Sequence, residues 1–208
     1  MIKELEISLP TSWADINLKK YLALQKELKN YEDSEEAQNA IIMHTLCNIE
    51  PDVLHSMAIE DYRMIQSELQ WFTKTDNLEL QRFVTIDGIE YGFEPNLSKM
   101  AYGAYIDIMQ FNEIGIDDNW AKIMNILYRP VEKKQGEFYS IERYTGKQDY
   151  EKWNNVKMDV HFACLFFFIN LSKDLLKSIL NYSMEMDMQP NMKQILEKSG
   201  KIIQPYIS

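Results

Sequence analysis

Residues 160–180 read VHFACLFFFINLSKDLLKSIL, and this stretch decides the fold class. It is apolar without interruption from Phe162 to Ile169, whereas beyond Asn170 leucine and isoleucine alternate with charged and polar residues at helical spacing. The apolar block is 8 residues long, and a membrane-spanning helix needs about 20. The stretch therefore predicts a central helix that other elements enclose at its start and that keeps one buried face as it leaves the core.

A small β-sheet is predicted by TIDGIEYG, residues 85–92. Asp87-Gly88 between two β-prone runs is a strong hairpin signal, because both turn positions require a positive φ that these residues tolerate. We expect a two-stranded hairpin over residues 82–94. A lone hairpin is marginally stable in water, and the alternating IKELEISL at residues 2–9, which Pro10 ends, is the available third strand.

Capping residues and apolar periodicity predict the other helices. Asn17 precedes one apolar stripe, and Ser34 precedes an acidic first turn. Arg129-Pro130 ends the helix before residues 131–148, which mix charges, aromatic residues and two glycines and are expected to form an exposed excursion or a weak hairpin. The predicted helical segments are residues 18–28, 35–47, 51–57, 59–72, 97–111, 120–127 and, briefly, 148–156.

The size and composition fit one globular domain. The chain has 208 residues, of which 46% are hydrophobic and 26% charged. The predicted fold class is mainly α, of the α+β kind: a helical domain around a central Phe-rich helix, with a small antiparallel β-hairpin sheet. Pro190 interrupts the helical pattern, so we expect a single domain over residues 1–189 and a C-terminal helix or arm over residues 190–208.

Charge and cysteine content limit the expected partners. A formal net charge of −10 repels phosphate backbones and anionic lipid head groups, so direct binding to nucleic acid or membrane is disfavoured. Cys47 and Cys164 both lie in apolar helical patterns, where a free cysteine behaves as a small buried hydrophobe; this indicates a reducing cytoplasm. The N-terminal MIKELEISLP lacks the apolar stretch of a signal peptide.

No pattern of catalytic or cofactor-binding residues stands out in the sequence. His44, Cys47 and His55 are the only set that resembles soft-metal ligands, and a structural zinc site needs at least one more ligand. A buried Cys47 with incidental histidines is the favoured interpretation, and His161 is expected to be a satisfied core or boundary histidine. Phosphate loops, nucleophile elbows and HExxH motifs do not occur. We therefore expect no enzymatic activity, no metal, no cofactor and no small-molecule substrate.

Aromatic residues in apparently polar segments are candidates for protein contacts, since interfaces favour Tyr, Trp and Met. Packing in the core or anchoring of loops explains them about as well. Residues 131–148 and 190–208 are the expected contact regions. The candidate contact residues are Trp13, Phe138, Tyr139, Tyr144, Ile202, Ile203 and Tyr206, and Tyr31 and Trp153 share their apparent surface setting.

Four stretches together resemble a family of small proteins encoded in the virion-morphogenesis regions of tailed bacteriophages, including the crAss-like group. They are LPTSWADINLKKYLALQ (9–25), TIDGIEYGFEPNLSKMAYGAYIDI (85–108), ILYRPVEKKQGEFYSIERYTG (126–146) and FFFINLSKDLLKSIL (166–180). The resemblance implies a tail-assembly chaperone or a minor structural component of the neck or tail, without enzymatic activity. Implied partners are other phage structural proteins, or further copies of the chain in a ring, in the virion or the cytoplasm of the infected host.

A competing interpretation is an acidic regulatory or host-directed binding protein, such as an inhibitor that occupies the basic groove of a nucleic-acid enzyme. Such a mimic concentrates its negative charge on one face. Lysines here stand among the acids along the sequence, which favours the morphogenesis role. An enzyme is the third possibility.

Overall fold

A computed structural model describes residues 7–73, 78–147 and 149–185 of the chain. These residues form seven α-helices and one four-stranded antiparallel sheet, so the fold is α+β. The helices are α1 Leu18–Leu28, α2 Glu35–Cys47, α3 Pro51–Ser56, α4 Ile59–Glu68, α5 Tyr102–Ile114, α6 Ile116–Leu127 and α7 Met158–Glu185. The strands are β1 Phe83–Ile86, β2 Ile89–Phe93, β3 Tyr128–Gln135 and β4 Phe138–Ile141.

The predicted starts of α1 and α2 are confirmed, because side chains cap the free backbone N–H groups there. The Asn17 side chain accepts a hydrogen bond from the Lys20 N–H at 2.9 Å, and the Ser34 hydroxyl accepts one from the Ala37 N–H at 3.2 Å. Ser12 and Asp15 form a capping box at the short 3₁₀ turn Trp13–Asp15. The predicted helical segment 148–156 is a 3₁₀ helix, Glu151–Asn155. The segment predicted over residues 97–111 instead divides into a 3₁₀ turn, Leu97–Lys99, and α5, and the helix predicted over residues 120–127 begins earlier, at Ile116.

The predicted hairpin is also confirmed, with a turn at Asp87 (φ 51°) and Gly88 (φ 80°). The third strand is not the N-terminal one: residues 7–9 form no strand, and residues 2–6 lie outside the described part of the chain. β3 takes that place, pairing with β2 and then with β4 in the order β1-β2-β3-β4. It begins directly after α6, whose last carbonyl, at Leu127, accepts a hydrogen bond from the Glu94 N–H at 2.7 Å. Residues 131–148 thus contribute a hairpin to the sheet.

The core is rich in aromatic rings, with one cluster centred on Trp13. The Trp13 ring lies 4.7 Å from Phe162 and 4.9 Å from Phe72, measured between ring centroids, and Trp71 and Tyr21 contact it edge-on. Such pairs add about 0.5–1.5 kcal/mol each beyond their burial. They join the first turns of α7 to the N-terminal segment and to the chain after α4.

α7 begins in this core but is not enclosed on all sides. Val160, Ala163 and Cys164 are buried, whereas Phe162 and the run Phe166–Phe168 are only half-buried. The prediction of a Phe-rich helix surrounded by other elements is therefore not confirmed. None of the described helices has the length and apolar content that a membrane crossing requires. The predicted arm, residues 190–208, lies outside the described residues.

Candidate protein-interaction surface

α5 presents an apolar face to solvent. Tyr102, Tyr105, Ile106 and Met109, here called the α5 stripe, follow the i, i+3, i+4, i+7 spacing of one helix face, and all are exposed, Tyr102 by 78% and Met109 by 49%. Only Ala104 of this helix is buried. Large apolar side chains exposed singly are ordinary, but four in one line form a contiguous patch of the kind that marks an interaction site.

The opposite face of α5 is fixed to α6 through Asn119. This side chain is 4% exposed, and its amide donates a hydrogen bond of 2.9 Å to the carbonyl of Gly115, the residue that joins the two helices. Lys122 donates to the Asn119 side-chain oxygen at 2.8 Å and lies over the Phe111 ring at 5.2 Å. The Asn119 amide also donates to the Phe111 carbonyl of α5 at 3.5 Å, so α6 satisfies a carbonyl group in the last turn of α5 and holds that helix in place although most of its surface is exposed.

Tyr144, in the chain after β4, contacts α5. Its hydroxyl donates a hydrogen bond to Asp107, and its ring lies against Gly103, close to where a side chain at that glycine would begin. Burial and the bond to Asp107 raise the pKa of Tyr144 to about 12. Tyr144, predicted as a contact residue, is half-buried, and its polar end is engaged within the molecule.

The other predicted contact residues that the structure describes differ in exposure: one is exposed, one is half-buried and one is buried. Phe138 is 84% exposed at the turn between β3 and β4. Tyr139 is half-buried, with its hydroxyl donating to the Phe93 carbonyl at 2.7 Å and its ring 4.7 Å from Phe83. The surface position predicted for Trp13 is wrong, since it is buried in the aromatic core. The fully buried Trp153 is a second such error, whereas Ile202, Ile203 and Tyr206 lie outside the described residues.

The residues weighed for chemistry are mostly interior. Cys47 is buried as predicted, and burial raises the pKa of its thiol and of the Cys164 thiol. His44 Nδ1 lies 2.8 Å from the Ile49 carbonyl oxygen. Among the described residues, no three of His, Cys, Asp or Glu are grouped so that they could hold a metal ion.

His161 is a core histidine, as predicted, but only one of its ring nitrogens is satisfied. Its Nε2 lies 3.1 Å from the Trp153 carbonyl oxygen, and its Nδ1 has no partner in the described part of the chain. The ring is fully buried. Burial lowers the pKa of His161 from 6.5 to about 4, so the ring is neutral near pH 7.

Sequence reasoning missed the α5 stripe, although a signal was present. In the helical segment predicted over residues 97–111, the apolar positions of the amphipathic pattern include Tyr105, Ile108 and Phe111. The structure half-buries Ile108 and Phe111 with Ala104 and leaves Tyr105 on the other side. α5 therefore has two apolar faces, and a surface helix can bury only one of them against its own domain.

No family model matches the chain, and neither a curated protein nor a solved structure is significantly similar to it.

Proposed function

We propose that the chain is a non-enzymatic virion-morphogenesis protein of a tailed bacteriophage. It acts through protein contacts, either as a minor structural component of the neck or tail or as a tail assembly factor. The observation that carries the proposal is the exposed α5 stripe. Three of the four stripe residues, Tyr102, Tyr105 and Ile106, lie within residues 85–108, one of the four stretches that resemble the phage family. The family likeness and the exposed patch therefore overlap in the sequence.

The chemistry of the stripe suits a protein partner. Interfaces are enriched in Tyr and Met, which supply large contact areas, and the stripe has two tyrosines, one isoleucine and one methionine. Its anchoring through Asn119 on α6 holds the patch in shape before a partner arrives, which reduces the ordering cost of association. A second exposed ring, Phe138, stands at a β-turn and offers a further contact point.

The proposal includes a mainly helical body organised around α7. Phe162 lies between Trp13 and Tyr21, and Phe167 contacts Phe93 of the sheet at 5.4 Å between ring centroids. α7 therefore touches both the N-terminal aromatic cluster and the β-sheet.

Analysis of purified particles tests the role. Mass spectrometry that finds the chain in fixed copy number identifies a structural component; a chain absent from particles but required for their formation identifies an assembly factor. A chain that is neither present nor required contradicts the proposal. Met109→Glu tests the surface: it should abolish association and leave the fold intact, because it places a charge in the middle of the stripe. Met64→Glu is the matched control, because Met64 is a similarly exposed methionine, 60% accessible, that lies on α4 and outside the stripe.

A second candidate, the acidic regulatory binder, is favoured by one specific feature. Residues 30–62 contain eight acidic residues and no lysine or arginine, so the negative charge is more concentrated than the whole chain implies. Particles that assemble normally without the chain, together with a complex between the chain and a host protein, would favour this role over morphogenesis.

A further inference from the structure

A second apolar surface, separate from the α5 stripe, lies between α2, α3 and α4. These helices enclose an open groove of about 580 Å³. Ala40 and Ile41 of α2, Leu54 of α3, and Ile59 and Tyr62 of α4 line it. Ile59 is 60% exposed, and the other four are half-buried, so their apolar surface is accessible from the solvent.

The helices that form this groove carry only acidic charge from Glu32 to Asp61. All eight acidic residues of this segment are exposed, and Glu36 lines the groove itself. Across residues 7–73, 78–147 and 149–185, none of the eight forms an ion pair. The nearest lysine in sequence, Lys29, pairs with Asp117 instead, at 3.1 Å. The groove is therefore apolar at its floor. Among the described residues, its lining includes one carboxylate, Glu36, and no lysine or arginine, so its rim is negative.

The apolar floor and the negative rim together indicate which kind of partner the groove can bind. An apolar floor binds apolar side chains, and a negative rim attracts cations and repels phosphate. α2 has 13 residues and is about 20 Å long, so a partner segment of similar length can lie along it. A second copy of the same groove is disfavoured as occupant, because it would oppose like charges.

We propose that the groove docks a basic amphipathic helix of a partner protein. Apolar residues at i, i+3, i+4 and i+7 of that helix fill the floor, and flanking lysines or arginines face the rim, which is the helix-in-groove mode of recognition. The inference goes beyond the proposed function. It concerns a different surface and holds for a particle component and for a regulatory binder alike.

The test uses the full chain and two synthetic helical peptides of about 14 residues with the same leucine face, one with lysine and one with glutamate on the polar face. Fluorescence anisotropy should show that the lysine peptide binds at least about ten-fold more tightly, and that its affinity falls as salt rises. Equal binding of the two peptides would overturn the charge argument.

Variants locate the binding. Ala40→Trp fills the groove and should weaken binding of the lysine peptide by at least about ten-fold. Glu36→Lys, at an exposed position, should weaken it by several-fold and does not depend on the fold accepting a larger side chain. Met109→Glu on the α5 stripe is the control and should leave binding unchanged. Binding that survives both groove variants, or that Met109→Glu abolishes, places the peptide elsewhere and overturns the proposal.

Two other occupants have distinct outcomes. If the groove holds the chain's own residues 190–208, changing Lys193, Lys198 and Lys201 to glutamate in the full chain will release that segment and tighten peptide binding. If it holds a second copy, the wild type will self-associate in light scattering and Ala40→Trp will not. Either result overturns docking of a partner helix; unchanged affinity and unchanged mass support it.

Discussion

Acidification should destabilise the protein through His161. Its Nε2–H donates to the Trp153 carbonyl, so a second proton must enter at Nδ1, which has no acceptor, in a ring that is fully buried against Trp120 and Trp153. The pKa in the folded chain is about 4, against 6.5 for an ordinary histidine. Because the unfolded chain takes up the proton first, this contribution to stability is fully present above about pH 6.5 and is lost as pH falls towards 4.

Linkage gives the size of the effect. His161 alone should lower the free energy of unfolding by roughly 2 kcal/mol between about pH 7.5 and about pH 5. Urea denaturation followed by tryptophan fluorescence measures it at both values. His161→Gln removes the titrating group, so this variant should lose most of the pH dependence even if it is less stable at neutral pH. A variant with the slope of the wild type, or a wild type equally stable at both values, would refute the reasoning.

Three further substitutions test the packing of the sheet. Gly92→Ala should lower the free energy of unfolding by about 1–3 kcal/mol, because the new methyl group would lie 2.9 Å from side-chain atoms of Tyr139 and Ile141. In a double-mutant cycle, a smaller residue at position 139 should suppress this loss of stability. Additive effects would argue against the contact. Glu94→Leu should lower the free energy of unfolding, measured by urea denaturation, by about 3–5 kcal/mol, because it leaves the guanidinium of Arg129 buried without its ion pair. Adding Arg129→Met should recover most of this loss. A cost near zero for Glu94→Leu alone would contradict the pairing. Gly88→Val should lower the melting temperature while Gly88→Asn is better tolerated, because φ is 80° there, and equal effects would argue against a left-handed turn.

The features that the sequence predicted well depend on near neighbours in the chain. Asn17 and Ser34 start helices because each side chain reaches a backbone N–H three residues ahead. Asp87-Gly88 forms its turn because the φ values belong to those two residues. None of these predictions required knowledge of what lies elsewhere in the fold.

The errors concern contacts between distant segments. IKELEISL and the chain after Leu127 have comparable strand patterns, and only the path of α6 places β3 beside β2. Trp13 stands among polar residues in the sequence, yet its short 3₁₀ turn folds onto α7 and Phe72, which buries the ring. The two apolar faces of α5 were not separated, because periodicity shows that a face exists and not which face the domain covers.

Cysteine labelling at the α5 stripe tests the central claim most directly. Cys47 and Cys164 are both buried, so a maleimide reagent reports mainly on an introduced thiol. The Met109→Cys variant should label rapidly in the isolated chain and at least about ten-fold more slowly in the complex purified from particle-producing cells, as a partner covers the stripe. The Met64→Cys variant, at an exposed position on α4, should label at similar rates in both. Equal labelling of Met109→Cys in the free and assembled protein would contradict the assignment of this face to protein contacts.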